Sequence, residues 1–141
     1  MADPRPLPLP PPIERFHGRS ASLERVELLT YPRRLHVRFH FWYGEPTYPC
    51  DVTFTGVHAF ELLELDYSEF YGRASFVEIP DSPWLAACKA MDHARKIGPD
   101  HRHLVLRTYD EVLEVLCSGY ALTLGAPVYP PPDEPDEPEP A

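Results

Sequence analysis

The sequence predicts an α+β domain built mainly on an antiparallel β-sheet with one packed α-helix, flanked by disordered proline-rich tails. Three observations lead there. Strand-like alternation recurs through most of the chain, a single segment carries both a helix start and a helix stop, and the prolines are sorted to the two ends. Of 19 prolines in 141 residues, six fall in residues 1–12 and seven in residues 127–141. The expected organisation is therefore an arm (1–12), one α+β domain (13–126) and a tail (127–141), a length suited to a single core.

The arm, with Pro-Leu-Pro-Leu-Pro-Pro-Pro at 6–12, has fixed φ and few backbone donors, so it reads as a polyproline II spacer. Ser22 to Tyr31 reads as a strand closed by Pro32. Arg34 to Tyr43 alternates most clearly, with Leu35, Val37, Phe39, Phe41 and Tyr43 on one face and Arg34, His36, Arg38, His40 and Trp42 on the other. The break at 44–49 leads by a hairpin into Cys50, Val52 and Phe54, which alternate with Asp51, Thr53 and Thr55. Gly56 permits a bulge or bend before a strand over 57–65. Phe70 to Ile79 reads as a further strand ended by Pro80.

The helix follows, with Ser82 as N-cap, Pro83 at the first helical position and Gly98-Pro99 as stop. Trp84, Cys88 and Met91, with Leu85 and Ala87, form its expected core face. His101–Thr108 and Val112–Leu124, joined at Tyr109-Asp110-Glu111, predict a terminal hairpin. The closing Pro-Pro-Pro-Asp-Glu-Pro-Asp-Glu-Pro-Glu-Pro is acidic, low in complexity and unable to bury a core, hence the expected disordered tail.

Charge narrows the function classes. The chain has 13 Lys and Arg against 22 Asp and Glu, a formal net charge of −9. Residues 14–44 carry six basic and three acidic side chains, whereas residues 45–81 carry eight acidic ones against Arg73 alone. No basic cluster offers the footprint that nucleic acid requires, and no run of 18 apolar residues spans a bilayer. Three well-separated cysteines and the absence of a signal-peptide pattern predict a cytoplasmic, reduced setting.

Catalytic signatures are missing: there is no G-x-S-x-G, no papain-like cysteine context and no glycine-rich phosphate loop. No cofactor is expected. His101 and His103, on one strand face, could share a metal, with His58 as a third ligand only if the strands align. A small metal-dependent enzyme is thus the alternative to a binding protein. The expected partner-binding residues are Glu61, Glu64, Asp66, Tyr67, Glu69 and Tyr71, carboxylates that steer a basic protein partner and tyrosines that supply rigid contact area.

The order FTGVHAFELLEL, a Ser82-Pro83-Trp84-Leu85 helix start, and HRHLVLRTYDEVLEVLCSGYAL resembles small uncharacterised bacterial proteins, some of which look like the immunity proteins of polymorphic toxin systems. The likeness covers Arg34 to Leu124. It implies a protein that binds and neutralises a cognate toxin domain and catalyses nothing, and it carries over no functional residue.

Overall fold

The computed structural model describes residues 3–15, 20–42, 46–65 and 74–130. In chain order the strands and helix are β1 (Arg5–Pro6), β2 (Ala21–Thr30), β3 (Arg33–Phe41), β4 (Tyr48–Thr55), β5 (Ala59–Glu64), β6 (Phe76–Glu78), α1 (Pro83–Ala90), β7 (Arg102–Arg107), β8 (Glu111–Cys117) and β9 (Gly119–Leu124). Among the described residues all pairings are antiparallel and the single α-helix is short, consistent with the α+β expectation.

The strands form two sheets rather than one, a four-stranded sheet β2-β3-β4-β9 and a five-stranded sheet β1-β6-β7-β8-β5. One long ribbon serves both. Its β4–β9 half lies in the first sheet and its β5–β8 half in the second, so both strands change sheet side by side. The corner is at Gly56 and Ser118. Ser118 donates its N–H to the Thr55 carbonyl at 2.9 Å and its hydroxyl to the same oxygen at 3.1 Å. Gly56 has φ +60, and a Cβ there would lie 2.2 Å from Ser118 Oγ, so the turn requires glycine on two counts. The expected strand over 112–124 is therefore two strands.

The inner faces of the two sheets make the core. Leu35, Val37, Phe39 and Phe41 of β3 and Cys50, Val52 and Phe54 of β4 are fully buried, on the face that alternation selects. Opposite them lie Phe76, Leu104, Leu106, Leu113, Val115 and Cys117. The Phe54 and Phe76 rings meet edge-on at 6.1 Å, and Phe76 also meets Tyr120 at 4.9 Å. On the outer face of the first sheet, His36 bonds Asp51 at 3.0 Å and His40 bonds Glu24 at 2.7 Å, so each histidine has its own carboxylate. Centrally placed β7 and β8 are buried on both faces. Val77, Ile79, Val105 and Val112 form a second, smaller cluster on the outer side.

The N-terminal segment does not project as an arm. β1 pairs with β6, Arg5 opposite Glu78, and Leu7 donates its N–H to the Phe76 carbonyl at 2.9 Å. Leu7 and Leu9 pack on the core, and Ile13 is fully buried within it. Apolar side chains between the prolines provide burial that outweighs the extended polyproline preference, and strand φ is close enough to proline's fixed φ for an edge strand. At the other end, Thr47 and Val128 exchange backbone hydrogen bonds, so pairing runs past residue 126. The acidic tail from residue 131 lies outside the described residues.

The helix departs from expectation in extent and burial. Ser82 caps it, its hydroxyl accepting the Leu85 N–H at 3.1 Å, but α1 ends at Ala90 rather than near Gly98. Asp92 captures the Ile97 N–H at 2.7 Å and Arg95 takes φ +53, so side-chain bonding and a left-handed residue replace the helical ladder. No α1 residue is buried, and Trp84 lies half-buried on the sheet instead of in the core.

Candidate functional site

Of the expected binding residues, the structure places Glu61 and Glu64 on β5, both exposed. Asp66, Tyr67, Glu69 and Tyr71 lie outside the described residues. β5 is the last strand of its sheet and pairs, among the described residues, with β8 alone. Leu65 donates its N–H to the Asp110 carbonyl, so by antiparallel alternation Leu63 and Glu61 also face β8, while the backbone groups of Phe60, Leu62 and Glu64 face outward. The side chains of Phe60 and Leu62 are 39% and 45% exposed. Among the described residues this edge thus combines backbone groups that no strand pairs with, apolar area and carboxylates.

The histidine pair separates into two environments. His103 uses both ring nitrogens, Nδ1 with Ser82 Oγ at 2.7 Å and Nε2 with Glu114 Oε1 at 2.9 Å, leaving neither for a metal. His101 accepts the Gly98 N–H on Nδ1 at 2.9 Å, a bond that puts the ring proton on Nε2. The Asp100 carboxylate at 3.3 Å from the same Nδ1 is then a neighbour rather than a hydrogen-bond acceptor. The His58 ring lies tilted against that of His101 with centroids 4.5 Å apart, and partial burial together with that imidazole lowers the His58 pKa. Among the described residues no three His, Cys, Asp or Glu side chains come together to hold a metal ion.

Ser82, His103 and Glu114 are 5%, 4% and 8% exposed, a buried polar chain on the outer face of the second sheet. Donors and acceptors match along it: Leu85 N–H to Ser82 Oγ, Ser82 O–H to His103 Nδ1, and His103 Nε2–H to Glu114. The Trp84 ring stands edge-on to His103 at 5.3 Å and shields it. Beside Ser82 lies a cavity of about 540 Å³, lined among others by Arg5, Asp81, Ser82, Lys89, His101 and His103. Its size falls within the range of small-molecule sites. Arg102, in the same wall, is bonded to Glu78 at 2.6 and 3.0 Å.

Cys50 and Cys117 are inert by burial rather than by pairing. Burial pushes the Cys50 and Cys117 thiols up to about 12, so both stay protonated at ordinary pH. Cys88 is half-buried on α1. In native protein at pH 8, iodoacetamide is expected to modify Cys88 alone, with all three reacting after denaturation; peptide mass spectrometry reads the sites. Rapid native labelling of Cys117 would contradict a closed core.

No helix among the described residues is long and apolar enough to cross a membrane. Comparison with protein families, with curated proteins and with solved structures finds no match to this chain.

Proposed function

We propose that the protein is a protein-binding module that receives a basic partner along the open edge of β5. In its most specific form it is an immunity-type inhibitor acting in a cytoplasm on a cognate toxin domain. The observation that carries this reading is the edge itself, where Phe60 and Leu62 are exposed between Glu61 and Glu64 on a strand with outward backbone groups. An unpaired edge is a template for strand addition, which supplies main-chain hydrogen bonds while alternate side chains select the partner. The carboxylates steer its approach. In sequence the acidic and aromatic run continues through Asp66, Tyr67, Glu69 and Tyr71. The metal-dependent alternative lacks comparable support, because His103 has no free nitrogen.

The test uses a partner recovered by pull-down from the producing organism and then purified. Leu62→Pro removes an outward N–H without breaking a bond to β8, so it is expected to weaken binding by about tenfold or more at nearly unchanged melting temperature. Reversing Glu64, Asp66 and Glu69 to lysine is expected to slow association at low salt. Wild-type association rate and affinity in both variants would eliminate the β5 edge as the interface.

A further inference from the structure

We propose that Ser82 is a nucleophile activated by His103 and oriented through Glu114, in a site that hydrolyses small carboxylic esters. This site is distinct from the β5 edge and does not rest on the binding reading. A helix N-cap requires only an oxygen that accepts the Leu85 N–H. Here the same hydroxyl also donates to a buried imidazole, which in turn donates to a buried carboxylate, and all the hydrogen bonds are compatible with one direction of proton transfer. Burying an imidazole and a carboxylate is costly where apolar residues would fill the space, and a nucleophile-base-acid chain is an arrangement that uses them.

The surroundings fit the chemistry. Ser82 follows Asp81, which is held at φ +52, in a strand–turn–helix passage from β6 to α1. The cavity of about 540 Å³ gives a substrate access to Ser82 and His103 from one side. Pro83 has no N–H, so the residue after the nucleophile cannot stabilise an oxyanion. His101 is the donor that could take its place: it belongs to the same cavity wall, its side chain is 8% exposed, and its Nε2, which carries the ring proton, is buried with no hydrogen-bond partner among the described residues, so the ring must turn to present it to a substrate. The Leu85 N–H stabilises negative charge developing on Oγ.

In the reaction, Ser82 Oγ attacks the ester carbonyl carbon as its proton passes to His103 Nδ1. The ester C–O bond breaks, the leaving alkoxide takes that proton, and an alcohol departs, leaving the acyl group on Ser82. Water then gives a proton to His103 Nδ1 and attacks the acyl carbon. The acyl–Oγ bond breaks, the carboxylic acid leaves, and the proton returns to Oγ.

The test treats the full chain with a small alkyl fluorophosphonate and maps adducts by peptide mass spectrometry, alongside p-nitrophenyl acetate hydrolysis. The expected result is one adduct, on Ser82, with loss of fluoride. His103→Gln should slow both labelling and hydrolysis by about a hundredfold or more. Ser82→Asn retains a capping oxygen and, with a native circular dichroism spectrum, should lose both activities. A purely structural chain would shift stability in these variants with no reactivity to lose. An unlabelled Ser82 in natively folded wild-type protein, adducts only elsewhere, or equal labelling in His103→Gln would each overturn the proposal.

Discussion

Deleting residues 1–13 is expected to destabilise the domain by about 4 kcal/mol, seen as a fall in melting temperature of roughly 10 to 20 °C. The deletion removes fully buried Ile13, two leucines packed on the core and the β1–β6 pairing. Docking an extended segment ordinarily costs substantial backbone entropy, but prolines at positions 6, 8, 10, 11 and 12 have little φ freedom to lose. More of the apolar gain is therefore retained. The total stability of such a domain is on the order of 5 to 15 kcal/mol, so the loss is a large share. An unchanged melting curve for the truncated protein would show that the segment contributes nothing to the fold.

Phe54→Ala is expected to cost about 3 to 5 kcal/mol in urea denaturation, with the slope of the transition unchanged. Phe54 is fully buried on β4, and its ring is one of the contacts by which the first sheet grips Phe76 on the second. Truncation leaves a void between two sheets whose backbones are fixed by the shared ribbon, so collapse around it is limited. Phe60→Ala, on the β5 edge and 39% exposed, is the control and should cost less than about 1 kcal/mol. Equal costs for the two substitutions would mean that the core is not where Phe54 lies.

The alternation in β3 and β4 was legible because each strand has one buried face, and every apolar position assigned there among the described residues lies in the core. Alternation fails once both faces are covered. The run Val112 to Leu124 holds no proline, and the sheet change breaks no ribbon pairing, so its one mark, Ser118-Gly119 opposite the expected bend at Gly56, is easily read as the interior of a single strand. Leu7, Leu9 and Ile13 were hidden by the composition around them. At the candidate sites, Glu61 and Glu64 could be singled out from local charge, whereas Ser82, His103 and Glu114 come from three separate elements and follow no motif. One signal was available. Glu114 is the charge inside Val-Leu-Glu-Val-Leu-Cys, and a carboxylate in a strand covered on both faces needs a buried donor.

The shared ribbon and the docked N-terminus also fix the order in which the chain can finish folding. Cys50 waits for Leu124 and Arg5 for Glu78, so the first sheet receives its last strand from the end of the domain and the second receives an edge from its beginning. Closing such loops adds little to the equilibrium cost, because the entropy grows only with the logarithm of length, but it delays the contacts that reward it. During synthesis β3 and β4 are complete while β7, β8 and β9 are still unmade, leaving the apolar face of Leu35, Val37, Phe39, Val52 and Phe54 without its opposing sheet. Neither half of the chain holds a whole sheet, and the first sheet is complete only when residues 119–124 have been made.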